Sequence, residues 1–156
     1  MNPYLLSIRH TPVILERLVD EIPEERFHEK RHSGRFTLLE AIAHVTDFEE
    51  VFLDRMRLTV LHPGSRLVSI DEEARVVEQN YAAKDIHHEI EVFANRRRDT
   101  IDFLESVTAE QLQLSAVHDE LGEITVAQQL AIITGHDIYH IEQVTEYLTE
   151  LHQLIP

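Results

Sequence analysis

The sequence predicts an all-α fold, a four-helix bundle with a long crossover connection, on three observations. Apolar residues recur with a period near 3.6 in four long segments. Glycine and proline are sparse, at four and five in 156 residues, and no segment carries a strong strand signal. Amphipathic helices must bury their apolar faces against one another, and four of them form a bundle. A chain of this length is expected to form one domain over residues 1–156.

The first two helices are placed by their start and stop signals. Residues 3–20 are expected to form the first helix, although Pro12 follows a threonine and offers a second start that could break it. The second helix has the clearest start, because Thr37 and Glu40 form a capping box. It is expected to run to about Leu61, where a His-Pro-Gly sequence ends it.

The second half of the chain contains a crossover and two further long helices. Residues 69–72 form a weaker capping box, which favours a short helix inside the crossover. The third long helix is expected over 85–105, with a single helical turn near 108–111. Residues 114–124 predict a bent or hairpin-like connection, and the last helix is expected over 125–151.

Composition excludes several classes of function. The net charge of −15 repels phosphate backbones, and the one short basic run, at 96–98, does not offset it, so no nucleic-acid partner is expected. No apolar run approaches the ~20 residues of a membrane span, and the N-terminus lacks the pattern of a signal peptide. There is no cysteine to form a disulfide, a thiolate ligand or a nucleophile. These features predict a soluble, cytoplasmic protein.

Two histidines in the last helix have the spacing of metal ligands. His136 and His140 are four residues apart, which places both imidazoles on one face of a helix. His44, from the second helix, can supply a third ligand and leave an open coordination position, as in catalytic metal sites. Since the chain has 11 histidines, the pair can equally be two ordinary surface residues.

Helical wheels favour the metal site. His136, His140 and Gln143 fall on the core-facing stripe of the last helix, where unpaired imidazoles would cost free energy. His44 falls at the margin of the apolar arc of its helix, a position that suits the mouth of a cleft. The outward face of that helix is predicted to carry its charged residues: Glu40, Asp47, Glu50, Asp54 and Arg57.

Two charged residues fall on apolar faces. Glu49 and Arg97 each need a partner if buried, and they are expected to satisfy one another as a structural ion pair. Alternatively, Arg97 lines the pocket, where its guanidinium could hold a substrate carboxylate.

Asp137 completes a His-Asp-x-x-His sequence. It is similar to the His-Glu-x-x-His of zinc peptidases, where the acid is the general base. Asp137 lies ~80° from the ligand axis on the wheel, which suits a solvent-side carboxylate or one that supports a ligand. Asp137, Arg97, Glu49 and Gln143 are therefore the candidate pocket residues.

The whole chain resembles the DinB-like superfamily, which includes the YfiT-type candidate metal-dependent hydrolases and bacterial thiol S-transferases. The matching segments, in order, are residues 9–15, 36–49, 93–98, 122–130 and 136–143. One departure is Phe36, where relatives often carry tryptophan.

The resemblance implies a four-helix bundle whose metal ligands are His44, His136 and His140. The family metals are usually zinc or nickel, with manganese or iron also found, and members are often homodimers. The implied activity is transfer of a low-molecular-weight thiol to an electrophile, with both small molecules as partners. Two alternatives stay open: a metal-dependent hydrolase of the same fold, and a non-catalytic metal-binding protein of the stress response. A fourth ligand from His87 or His88 would favour a closed, structural site.

Overall fold

The computed structural model describes residues 2–152, with side chains over 2–148. Four long helices dominate it, and a short helix and three short strands lie in the connections. In chain order the elements are α1 Pro3–Asp20, α2 Leu38–Leu61, β1 Arg66–Leu67, α3 Glu72–Glu78, α4 Ile86–Ser106, β2 Ser115–His118, β3 Gly122–Thr125 and α5 Val126–His152.

The long helices form the predicted four-helix bundle. α1 packs against α4 and α5, and α2 packs against the same two helices. Consecutive helices α1 and α2 therefore lie across the bundle from each other, as do α4 and α5, whereas α2 and α4, which the long connection through α3 joins, are neighbours. The fold class predicted from the helical periodicity is confirmed. None of the helices in the described part of the chain is long and apolar enough to cross a membrane.

Local signals set the helix boundaries as expected. The capping box at α2 is formed, since the Thr37 hydroxyl accepts from the Glu40 amide and the Glu40 carboxylate accepts from the Thr37 amide. α1 continues unbroken through Pro12. Proline lacks the N–H that would bind the carbonyl four residues earlier. That carbonyl, of Ile8, accepts instead from Arg97 Nη1 at 2.8 Å.

A small three-stranded sheet replaces the loops predicted at two connections. β2 and β3 form an antiparallel hairpin, and β1 pairs with β2 in parallel. The hairpin-like connection predicted at 114–124 is thus a true β hairpin, whose second strand begins at Gly122 with φ +73°. Strands of two and four residues are too short to show an alternating pattern, which is why no strand was predicted.

The interior contains two apolar clusters within the bundle and one under the sheet. The sheet cluster consists of Leu67, Ala116 and Ile124, with Ile132 of α5 packed against it. This contact fixes the sheet beside the middle of α5, close to His136. The largest bundle cluster includes Leu15, Leu38, Ile42, Ile90, Phe93, Val144 and Tyr147.

Candidate metal centre

Three histidines from two helices converge in the bundle. His44 of α2 meets His136 and His140 of α5, and one nitrogen of each lies within 4.8 Å of the other two. The His44 and His136 Nε2 atoms are 3.1 Å apart. Two nitrogens bound to one tetrahedral zinc at ~2.0–2.1 Å are roughly 3.3 Å apart, so this spacing is close to that of shared ligands.

Gln143 orients one of the three rings. His140 Nδ1 lies 3.0 Å from Gln143 Oε1, and both residues are buried. If Nδ1 carries the ring proton and donates it to the amide oxygen, Nε2 keeps a free lone pair for a metal ion. Hydrogen bonds of this kind fix the tautomer and orientation of metal-binding histidines.

Burial keeps the histidines uncharged. His44 is 1% exposed, and burial together with repulsion from His140 lowers its pKa to about 3. Burial also lowers the pKa of His140 to about 4, against the opposing effects of Gln143 and Asp137. Desolvation holds the pKa of partly exposed His136 well below its usual value. Neutral imidazole is the form that binds metal.

The surroundings of His44 correct its predicted position. It lies inside the apolar core of the site and not at the margin of the helix face, with the Phe36 and Phe48 ring centroids 5.0 and 4.2 Å from its own. Its Nδ1 is buried without a hydrogen bond to any described residue. Three neutral imidazoles whose nitrogens converge fit a divalent ion such as zinc, nickel or copper.

An open cleft of about 340 Å³ adjoins the three histidines. Gln143, one of the predicted pocket residues, lines it. The cleft also contains residues that the sequence did not single out as functional: Gly34, Arg35, Phe36, Glu72 and Tyr139. Arg35 and Phe36 belong to the segment before α2, whereas Glu72 comes from α3, which is far along the chain. Their convergence depends on how the two connections fold against the bundle, which no local sequence pattern encodes.

The other predicted pocket residues lie behind the histidines and not in the cleft wall. Arg97 is 1% exposed and binds Glu49 through Nε and Nη2, at 2.8 and 2.7 Å. It also binds Asp137 through Nη1 and Nη2, at 2.6 and 2.9 Å. With the bond to the Ile8 carbonyl, all five guanidinium N–H groups are engaged. The expected ion pair is present, and Arg97 has no donor left for a substrate carboxylate.

Asp137 is buried in this cluster. It is 3% exposed and accepts from the Thr11 hydroxyl at 2.5 Å as well as from Arg97. Of the two positions that the helical wheel suggests for Asp137, the solvent-side one is therefore wrong, because Thr11 of α1 and Arg97 of α4 bind the carboxylate inside the bundle. Asp137 follows the candidate ligand His136 directly, so the Arg97 cluster fixes the segment that presents that ligand.

His87 and His88 lie away from the centre. Both are exposed on α4, and the His87 ring packs edge-on against Phe27 at 6.0 Å. Among the described residues, the group positioned to hold a metal contains His44, His136 and His140 alone. The centre therefore keeps the open character expected of a catalytic site.

Comparisons with known proteins agree with this fold. A candidate metal-dependent hydrolase of Oceanobacillus iheyensis is 20% identical over 130 residues, which are 83% of this chain and 75% of that protein. YfiT of Bacillus subtilis, described as a candidate metal-dependent hydrolase with an unusual four-helix bundle topology, superposes with a TM-score of 0.88 at 17% identity. The match covers 96% of this chain and 86% of YfiT.

Two further solved structures share the fold. A mycothiol-dependent maleylpyruvate isomerase matches with a TM-score of 0.72 at 12% identity, over 90% of this chain and 59% of the isomerase. YjoA, a DinB-like protein of Bacillus subtilis, matches with a TM-score of 0.63 at 17% identity, over 97% of this chain and 93% of YjoA. The sequence model of the DinB superfamily matches residues 7–144. By that match, which includes all three histidines, this chain belongs to the DinB superfamily.

Proposed function

We propose that this protein is a metal-dependent enzyme that transfers a low-molecular-weight thiol to an electrophile. The observation that carries the proposal is the convergence of three neutral imidazoles beside an open cleft of about 340 Å³. His44, His136 and His140 would hold the ion, with zinc or nickel best suited to such a ligand set. A divalent ion bound there supplies a Lewis acid that lowers the pKa of a thiol or of water.

Arg35 is the group that we assign to binding the thiol compound. It lines the cleft beside the histidines, and its guanidinium lies 5.7 Å from the Tyr139 ring centroid and 2.9 Å from Glu146. These contacts hold the cation at the cleft while leaving it partly exposed. Low-molecular-weight biological thiols commonly carry a carboxylate, which a guanidinium binds with two parallel hydrogen bonds.

Glu72 is the group that we assign to proton transfer. It lines the cleft, and partial desolvation together with the nearby charge of Glu120 raises its pKa, which is the direction that strengthens a carboxylate as a base. Glu72 would accept the proton of the thiol as the sulfur forms its bond to the electrophilic carbon. The proton would then return to the anionic product or leaving group. Asp137 is not available for this role, because Arg97 and Thr11 occupy it.

The comparisons support the proposed use of a thiol but do not identify a substrate. The isomerase that shares the fold depends on mycothiol. A cytoplasmic location accords with the proposal, since low-molecular-weight thiols are kept reduced there.

The principal rival is a hydrolase, in which water takes the place of the thiol at the same cleft. The descriptions of the Oceanobacillus protein and of YfiT favour it. A purely structural metal is disfavoured, because structural sites are normally closed by four protein ligands.

A conjugation assay separates the two enzymes. Zinc- or nickel-loaded protein would be mixed with chlorodinitrobenzene and with glutathione, cysteine, coenzyme A or mycothiol in turn, and an activated ester would be supplied without thiol. The proposal predicts thiol-dependent release of chloride that falls about 100-fold in Glu72→Gln and is unchanged in Glu73→Gln, its exposed neighbour. Ester hydrolysis without any thiol addition would favour the hydrolase and reject the transferase.

A further inference from the structure

The cleft continues past His136 into a narrow recess between α2, α5 and the small sheet. A lobe of about 190 Å³ shares Glu72 and His136 with the cleft. An inner cavity of about 50 Å³ lies behind it, and the two spaces share four lining residues: Phe52, Arg55, His118 and Ile132. We call the lobe and the inner cavity together the recess.

The walls of the inner cavity are largely apolar, whereas the lobe also has polar and charged residues in its wall. Phe52 and Ile132 line both parts, and Leu121 and Ile124 of the hairpin line the inner cavity. The Phe52 ring also contacts the His136 ring edge-on, with centroids 5.1 Å apart. The wall of the recess thus touches the metal centre. A molecule lying in the recess would have its outer end beside His136.

An unsatisfied acceptor lies at the inner cavity. Gln129 lines it and is 5% exposed, and its Oε1 makes no hydrogen bond to any described residue. The amide orientation is fixed by Thr59, whose hydroxyl donates to the Arg55 carbonyl and therefore accepts from Gln129 Nε2 at 2.8 Å. Because the NH2 group faces Thr59, the oxygen is the atom left for an occupant of the cavity.

A donor lies on the same cavity. His118 is 8% exposed, and its Nδ1 accepts from the backbone amides of Glu120 and Leu121 at 3.2 and 3.4 Å. Since Nδ1 accepts both bonds, the ring proton of the neutral imidazole is on Nε2, which makes Nε2 a donor. One buried acceptor and one buried donor on a small apolar cavity match a hydroxyl group, which both donates and accepts.

We propose that the recess is a binding subsite for an uncharged, largely apolar molecule that ends in a hydroxyl group. The hydroxyl would donate to Gln129 Oε1 and accept from His118 Nε2. A charge on the end of the ligand that enters the inner cavity is disfavoured by the apolar walls of that cavity, and the ionic groups of the lobe, Arg55, Glu72 and Glu120, are of mixed sign. The inference rests on the proposed function at one point only, where it takes the molecule in the recess to be the electrophile.

Two probes of matched shape test the subsite. The metal-free protein would be titrated with 4-ethylphenol and with ethylbenzene, and binding followed by calorimetry and by the methyl resonances of Ile124 and Ile132. We expect 4-ethylphenol to bind about tenfold more tightly than ethylbenzene and to shift both methyl groups, since a buried polar group left unpaired is costly. Gln129→Leu should abolish this preference, whereas the exposed control Gln113→Leu should retain it.

Two kinds of outcome would overturn the proposed subsite. Equal affinity for the two probes in the wild-type protein, or methyl shifts confined to other isoleucines, would overturn the subsite. An absence of shifts with either probe would show that water alone satisfies Gln129, which also overturns it. If Gln129→Leu does not fold, the wild-type preference and the location of the methyl shifts still decide. Because binding is measured without metal or thiol, failure of the conjugation assay leaves this result unaffected, and the reverse also holds.

Discussion

At the scale of single residues, Arg97 is where the four long helices meet. It extends from α4 and binds the Ile8 carbonyl of α1, Glu49 of α2 and Asp137 of α5. The two carboxylates raise its pKa, although burial opposes them. Pro12 contributes indirectly, because its missing N–H leaves the Ile8 carbonyl free to accept. The pair predicted from the helical wheels is part of a larger buried cluster.

Removing the guanidinium should be costly. We expect Arg97→Met to destabilise the protein by roughly 3–5 kcal/mol, because two buried carboxylates lose their counter-charge. Urea denaturation would measure the loss, with the exposed neighbour Arg98→Met as the control. A change in Arg97→Met no larger than in that control would show that the cluster does not stabilise the bundle.

The two buried histidines of the centre, His44 and His140, predict a pH dependence of the metal-free protein. His44 and His140 have folded pKa values of about 3 and about 4, below the unfolded value of 6.5. As the pH falls below 6.5, the unfolded chain gains protons that the folded protein does not, so stability decreases until the folded pKa is reached. At pH 5 each histidine should cost roughly 2 kcal/mol relative to neutral pH.

Chemical denaturation between pH 7.5 and 5 in the presence of a chelator tests this dependence. His44→Phe should reduce the slope of stability against pH, since it removes one of the buried groups. A slope unchanged by that substitution would mean that His44 is not buried as a neutral imidazole.

At the scale of elements, the short helix α3 is attached to α2 by a buried carboxylate. Asp47 accepts two hydrogen bonds from Arg75 of α3 and one from the Tyr81 hydroxyl at 2.6 Å. Burial would raise the pKa of Asp47, but these partners outweigh it and lower the pKa. The prediction that Asp47 faces outward is wrong, because the crossover covers this part of α2. The contact matters for function because α3 also carries Glu72 into the cleft.

Breaking this attachment should loosen α3 selectively. In Arg75→Met we expect faster hydrogen exchange across residues 72–81, with α2 and α5 little changed, because short helices depend on tertiary contacts. Exchange mass spectrometry of this variant beside Arg57→Met, an exposed arginine on α2, provides the comparison. Equal exchange of α3 in both variants would contradict the proposed attachment.

Sequence patterns predicted the long elements well and the short ones poorly. Helical periodicity and caps such as Thr37–Glu40 act locally, so α2 and the other long helices were placed within one or two residues. Strand β1 exists through pairing with the distant strand β2, which no local pattern encodes, whereas the β2–β3 hairpin lies where a hairpin-like connection is predicted.

At the scale of the whole molecule, the site also combines features that local sequence patterns predict with features that depend on the tertiary fold. The spacing of His136 and His140 predicts a shared face, the upstream His44 offers a third ligand, and the family resemblance implies the same three residues. The cleft was not predictable in the same way, because Arg35 and Glu72 reach it only through the path of the connections around the bundle. Likewise, the burial of Asp137 depends on side chains from other helices, and a helical wheel describes one helix without its neighbours.

The fold brings three histidines together, and we propose that they bind one divalent ion. If so, zinc or nickel should also stabilise the wild-type protein, by about 2.7 kcal/mol at a hundredfold excess over the dissociation constant.

Metal analysis of the purified protein after equilibrium dialysis against zinc or nickel tests the claim most directly. We predict one ion per chain in the wild-type protein and in the exposed control His88→Ala, and a loss of bound metal in His136→Ala with the helical circular dichroism retained. Full metal occupancy in folded His136→Ala would contradict the three-histidine centre.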